Sequence, residues 1–142
     1  MNVLEEAKKV FDIEIAALKK TQESLNGTFE KILNEIVSCE GKIVMVGMGK
    51  PGHISKKIAA TFSSLGTPSL YLNPAEAMHG DLGMISKNDV VIIISYSGES
   101  DEVINIIPSI KLIGAKIIAI TANSDSRLAK YANITEILPK FA

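Results

Sequence analysis

One short segment carries the side chains best suited to ligand chemistry. It consists of Ser95, Tyr96, Ser97, Gly98, Glu99 and Ser100, and is called the serine loop below. Its hydroxyls can donate or accept hydrogen bonds, and its glycine lets the backbone approach a ligand closely. A helix predicted to begin near Asp101 would direct unpaired N–H groups at this loop, an arrangement that favours an anion. The segment therefore predicts a phosphate site, and the alternative is that Ser97 or Ser100 only caps the helix.

A second loop, Gly47 to Gly52, has the spacing Gly-x-Gly-x-x-Gly found in dinucleotide-binding proteins. Such proteins also need an acidic residue at the end of the next strand to hold a ribose hydroxyl. Here that strand ends at Leu72-Asn73-Pro74, and the nearest acid, Glu76, lies beyond the proline. We therefore favour a tight strand-to-helix turn over a nicotinamide site.

Basic residues stand in and after this second loop. Lys50 follows Gly49 at the mouth of the predicted site, where an ammonium group can pair with phosphate or polarise a ligand oxygen. The alternative for Lys50 is a solvated surface lysine. His53, predicted on the first turn of the following helix, faces either the site or the solvent.

The segment 73–83 joins two predicted strands with little periodicity and brings together Glu76, His79 and Asp81. Loops of this composition tend to carry function rather than packing. His79 can move protons, because the pKa of histidine lies near neutrality. The alternative is a turn histidine bonded to the backbone. His79 and Asp81 are too few to predict a metal site.

The elements that position these loops follow from hydrophobic periodicity. Runs of consecutive β-branched residues are typical of strands covered on both faces of a parallel sheet. They predict strands over 43–46, 69–72, 90–94, 116–120 and 134–138, with helices over 1–25, 28–39, 53–65, 102–113 and 126–131. Asn26-Gly27 separates the first two helices. The predicted fold is α/β, a doubly wound five-stranded parallel sheet in the order 2-1-3-4-5, whose order reverses between strands one and three.

Length and composition exclude several classes of protein. The 142 residues predict a single domain, with leading helices over 1–40 and an α/β core over 41–142. A net charge of −1 argues against nucleic acid or an anionic membrane as partner. Cys39 is the only cysteine, so neither an intrachain disulfide nor cysteine-ligated zinc is expected. No leader or membrane span is predicted, and we expect a cytoplasmic protein.

Several sequence blocks together resemble the sugar isomerase (SIS) family. The resemblance covers roughly the last 100 residues and rests on the blocks 46–53, 59–62, 66–68, 76–83 and 95–100. It implies an SIS fold and, within the family, an aldose–ketose isomerase that interconverts ribulose 5-phosphate and arabinose 5-phosphate without a cofactor. A related hexulose-phosphate isomerase stays open, because pocket size cannot be read from sequence.

The resemblance also assigns roles to residues. It implies that phosphate is held by Gly49, Ser95, Tyr96, Ser97, Gly98 and Ser100. It implies that the catalytic residues are Lys50, His79 and Glu99, with no metal. Family members form dimers or tetramers with sites at subunit contacts, so a homodimer or homotetramer is expected, with the leading helix at the contact.

Two departures from the family pattern keep a second function open. Pro51 stands where the isomerases usually have a phosphate-binding serine. The isomerases also continue past the fifth strand with a Glu-bearing loop, a helix that packs on the sheet and a segment with a catalytic histidine, whereas this chain ends at Ala142. The alternative function is a sugar-phosphate-binding module without turnover.

Overall fold

A computed structural model describes residues 2–141, in which two leading helices precede alternating strands and helices. The helices are α1 (Val3–Ser24), α2 (Gly27–Val37), α3 (Lys50–Ser64), α4 (Pro74–Ala77), α5 (Asp101–Ile113) and α6 (Arg127–Tyr131). The strands are β1 (Ile43–Val46), β2 (Ser69–Leu72), β3 (Val90–Ile94), β4 (Lys116–Thr121) and β5 (Ile134–Ile137). A short 3-10 helix spans Asp81–Met84.

The five strands form one parallel sheet in the order β2-β1-β3-β4-β5, which confirms the predicted fold. Val46, the last residue of β1, pairs with Leu72 on one side and Ile93 on the other. The loops that leave β1 and β3 therefore meet where the strand order reverses. Open α/β sheets bind ligands at this place.

Helices cover both faces of the sheet, as the β-branched runs predict. On one face Val46 and Ile93 join a core with Ile106 of α5 and Leu128 of α6. On the other face Met45, Ile92 and Ile118 pack with Ala59 of α3 and Ile32 of α2. All four residues of β1 are buried. Burial of each large aliphatic side chain contributes roughly 1.5–3 kcal/mol, so β1 anchors both layers.

The two leading helices differ in how they pack. Ile32 of α2 is buried against the sheet, whereas α1 has no buried residue. Asn26 separates the helices as predicted and also begins α2, because its side-chain oxygen accepts the N–H of Thr28. Within residues 2–141, no helix has both the length and the apolar content needed to cross a membrane.

Local structure differs from the prediction at two places. Helix α3 begins at Lys50 rather than His53, because Pro51 suits the first turn, where its missing N–H costs nothing. Segment 73–83 contains α4, which begins where the side chain of Asn73 accepts the N–H of Ala75. Lys50 is thus a helical residue, and the 73–83 connection is more regular than its periodicity indicated.

Candidate functional site

The serine loop is shaped by its own hydroxyl groups. Ser95 Oγ accepts the N–H of Gly98 at 3.1 Å, and Ser97 Oγ accepts the N–H of Glu99 at 3.2 Å. Ser95 is only 6% exposed, whereas Ser97 is exposed. The two serines therefore contribute differently: Ser95 fixes the turn, and Ser97 presents its hydroxyl to solvent.

The first turn of α5 is not capped by the serine that precedes it. Ser100 occupies the N-cap position, but its side chain makes no capping hydrogen bond. Its Oγ instead donates to Glu102 Oε2 at 3.0 Å. The interpretation of Ser100 as a simple cap is therefore wrong, and no serine hydroxyl accepts an N–H of the first turn of α5. An anion bound at this end of α5 would accept hydrogen bonds from these N–H groups.

The end of β4 and the loop that joins it to α6 contact the serine loop and hold its backbone. Gly98 has a φ of +67° and lies so close to Ser126 that an added Cβ would overlap the serine side chain. Thr121 Oγ1 donates to the carbonyl oxygen of Tyr96 at 3.1 Å, and Asn123 Nδ2 donates to that of Ser97 at 3.2 Å. The sequence analysis missed these supports, although a polar cluster directly after a buried strand is a signal for them.

Glu99 is held by Arg127, a residue the sequence analysis did not select. The backbone N–H of Arg127 donates to Glu99 Oε1 at 2.7 Å, and its Nε donates to Oε2 at 2.6 Å. The side-chain hydrogen bond from Arg127, followed by the backbone one, lowers the pKa of Glu99 below its ordinary value. Glu99 is therefore a fixed carboxylate bound at both oxygens.

The glycine-rich loop after β1 is explained by packing. A Cβ on Gly52 would lie 2.8 Å from the carbonyl oxygen of Gly47 and 2.9 Å from the hydroxyl of Tyr71. That hydroxyl donates to the Gly47 carbonyl at 2.7 Å, and burial raises the pKa of Tyr71. The close contact between β1, β2 and α3 accounts for Gly47 and Gly52 without a ligand. Gly49 is exposed at the N-cap of α3.

The remaining predicted residues lie on exposed surfaces at this edge. Lys50 begins α3, after the short loop that leaves β1, and His79 follows α4, which packs against α5. Lys50, His53 and His79 are all exposed. In the part of the chain that the structure describes, the side chains of Lys50 and His79 make no hydrogen bond or ion pair. The topology brings Lys50 and the serine loop to neighbouring strand ends, but within residues 2–141 no hydrogen bond or ion pair joins Lys50, His79 and Glu99.

Most of the residues proposed for the site are exposed, among them Gly49, Lys50, Tyr96 and Ser97. A groove of about 210 Å³ lies elsewhere, lined by Cys39, Asp89 and Lys116 among others at the amino ends of the strands. Among residues 2–141, no three His, Cys, Asp or Glu side chains come together as a metal site would require. The arrangement can bind an anion through hydroxyls and helix N–H groups, with Lys50 on one side.

Comparison with known proteins gives a family model and several similar proteins. The model described as "SIS domain" matches residues 36–140. The chain is 50% identical over 119 residues to arabinose 5-phosphate isomerase KpsF of Escherichia coli, covering 83% of this chain and 36% of that protein. It is 48% identical over 132 residues to arabinose 5-phosphate isomerase KdsD of Francisella tularensis, covering 91% of this chain and 40% of that protein.

A solved structure agrees in fold. An Escherichia coli protein in complex with arabinose 5-phosphate superposes with a TM-score of 0.87 at 38% identity, covering 100% of this chain and 77% of the other. The chain spans about two fifths of the length of the curated relatives it matches.

Proposed function

This chain belongs to the SIS domain family, and from that membership we propose that it binds a sugar phosphate at the serine loop and takes part in the interconversion of ribulose 5-phosphate and arabinose 5-phosphate. The uncapped start of α5 beside the exposed Ser97 is the observation that carries the proposal. The helix N–H groups and the hydroxyl would bind the phosphate oxygens. The names of the relatives and the sugar phosphate in the solved complex support this choice of sugar.

The proposed chemistry moves one proton between adjacent carbons. A base removes the proton from C2 of the aldose, giving an enediolate, and that proton is returned to C1. The proton of the O2 hydroxyl passes to O1, so that O2 becomes the carbonyl oxygen. Lys50 is exposed at the start of α3 and would stabilise the negative oxygen of the enediolate. His79 is the candidate for moving the proton, since a histidine serves as acid and base near neutrality.

A second candidate function is binding without turnover. Glu99 has both oxygens bound by Arg127, and these hydrogen bonds lower the pKa of Glu99. A general base works best when its pKa lies near the working pH. Glu99 in this state is therefore suited to holding a substrate hydroxyl rather than to taking a proton, which leaves His79 as the proton carrier or leaves the chain without one.

The proposal includes self-association in the cytoplasm. Three apolar residues one heptad apart on α1, Leu4, Phe11 and Leu18, are 73%, 67% and 70% exposed. A stripe of this kind favours a protein partner over solvent, and a second copy of the chain supplies a matching stripe. The unpaired thiol of Cys39 is consistent with a reducing compartment.

The direct test adds arabinose 5-phosphate to the purified protein and follows the sugar by proton NMR. Signals of ribulose 5-phosphate would establish the isomerase, and line broadening without conversion would establish the binding module. Ser97→Ala is expected to weaken binding measured by calorimetry, because it removes the exposed hydroxyl. Ser86→Ala is the matched control, since Ser86 is exposed before β3 at the opposite edge. Sugar signals that show neither conversion nor broadening when the protein is present would overturn the proposal.

A further inference from the structure

We propose that Arg127 is a positioning residue of the serine loop. Its guanidinium holds Glu99 in one orientation and offsets the negative charge around the bound phosphate. This role rests on the proposed function. Arg127 lies 28 residues after Glu99 in sequence and begins α6, while Glu99 precedes α5. It is an addition to the residues that the family resemblance assigns.

The charges near the serine loop require an offset of this kind. Three carboxylates, Glu99, Asp101 and Glu102, occur within four consecutive positions beside a site proposed for an anion. Arg127 bonds to Glu99 and places its Nη2 3.8 Å from Asp101 Oδ1. Lys130 adds a more distant positive charge to Glu99. Without the guanidinium, the carboxylates would repel a phosphate dianion.

The contact between Arg127 and Glu99 has a geometry that fixes a side chain. A backbone N–H and a guanidinium Nε bind different oxygens of the same carboxylate, so rotation of the carboxylate breaks at least one bond. The backbone donor is held in place by its helix, because Ser126 Oγ accepts the N–H of Ala129 at 3.1 Å. A change of the Arg127 side chain therefore removes one donor and the charge while the other donor stays.

The test compares Arg127→Gln with Lys130→Gln. Each variant removes one positive charge from α6, but only Arg127 bonds to Glu99. The Arg127 side chain is 48% exposed, so its variant is expected to fold. For an ion pair of this geometry we expect Arg127→Gln to weaken binding of arabinose 5-phosphate and of inorganic phosphate roughly five- to tenfold in calorimetry, and Lys130→Gln to weaken it less than about twofold.

A double-mutant cycle separates positioning from direct contact with phosphate. In a Glu99→Gln background, Arg127→Gln is expected to weaken binding less than it does in the wild type, because the carboxylate that the guanidinium holds is gone and the longer contact with Asp101 is left. An equal loss in both backgrounds would show that Arg127 binds phosphate itself and would overturn the positioning role. Arg127→Lys, which keeps the charge, is expected to recover part of the affinity.

Titration of the Glu99 carboxyl by carbon-13 NMR gives a readout that needs no ligand. The pKa of Glu99 is expected to rise toward its ordinary range in Arg127→Gln and to change little in Lys130→Gln. If the wild-type protein binds no sugar phosphate, the proposed function is overturned. The titration then still tests whether Arg127 holds the Glu99 carboxylate. An unchanged Glu99 titration in Arg127→Gln, or unchanged phosphate affinity in a binding-competent chain, overturns the role of Arg127.

Discussion

Asp89 accepts hydrogen bonds from both the backbone N–H and the ammonium group of Lys42, at 2.9 and 2.7 Å. It also accepts the N–H of Ser86 at 2.7 Å, and its side chain is 1% exposed. The carboxylate thereby joins the residue before β1 to the turn before β3, at the edge of the sheet opposite the serine loop. Burial alone would raise the pKa of Asp89, but the Lys42 and Ser86 donors and the charge of Lys42 lower it.

Asp89→Asn is expected to lower the free energy of unfolding at pH 7 by about 2 kcal/mol, because it leaves Lys42 without its carboxylate. The pKa of Asp89 is lower in the folded protein than in the unfolded chain. The stabilisation from its ionised carboxylate is therefore present above the unfolded pKa of about 4 and disappears as the pH falls through the folded value. Urea unfolding at pH 7 and pH 3 measures both effects. Asp12→Asn, on the exposed surface of α1, is the control, and equal midpoints for the two variants at pH 7 would refute the prediction.

Glu136 on β5 carries a buried carboxylate oxygen, Oε2, which has no hydrogen-bond partner within residues 2–141. Burial raises the pKa of Glu136, so ionisation costs stability as the pH rises above the unfolded value of about 4.3. Glu136→Gln is therefore expected to stabilise the fold by roughly 1 kcal/mol at pH 7.5. The gain should vanish near pH 3.5, where both side chains are neutral.

Chemical denaturation at the two pH values tests the Glu136 prediction, with exposed Glu23→Gln as the matched control. A variant less stable than wild type at pH 7.5 would mean that the carboxylate has a favourable partner in solution, contrary to the structure.

Gly98 and Gly49 have similar positive φ angles, +67° and +63°, in different surroundings. An alanine Cβ at Gly98 meets Ser126, whereas nothing lies within 4 Å of one at Gly49. Gly49 has a ψ of −128°, outside the left-handed helical region, so Gly49→Ala is expected to cost backbone strain alone, roughly 1–3 kcal/mol. Gly98→Ala is expected to cost roughly 1–3 kcal/mol more than its own strain, because the added Cβ overlaps Ser126. Thermal unfolding of the two variants checks the difference, and phosphate affinity should fall more in Gly98→Ala. Equal losses of stability would show that the contact with Ser126 relaxes freely.

The exposed stripe on α1 predicts the oligomeric state. Phe11→Lys is expected to shift the protein toward the monomer in analytical ultracentrifugation, because it places a charge in the proposed contact. Ile13→Lys is the matched control: Ile13 is 68% exposed against 67% for Phe11, but two positions along a helix place it on the opposite side. An unchanged sedimentation coefficient for Phe11→Lys, or an equal shift for Ile13→Lys, would exclude α1 as the contact.

The sequence alone determined the strand positions and the sheet order. Consecutive β-branched residues, as in Val90–Ile94, predict a strand, because a strand buried on both faces needs apolar side chains at every position. The serine loop could be predicted from the sequence for a similar reason, since its hydroxyls and its glycine are adjacent in the chain. Both signals are local, and local patterns survive in the sequence.

Only the tertiary structure decided which distant residues meet. Arg127 reaches Glu99, Ser126 reaches Gly98 and Asp89 reaches Lys42 through the parallel register of β1, β3 and β4, which no spacing in the sequence records. Side-chain partners are chosen by competition among groups that folding brings together, and that competition exists only once the strands are paired.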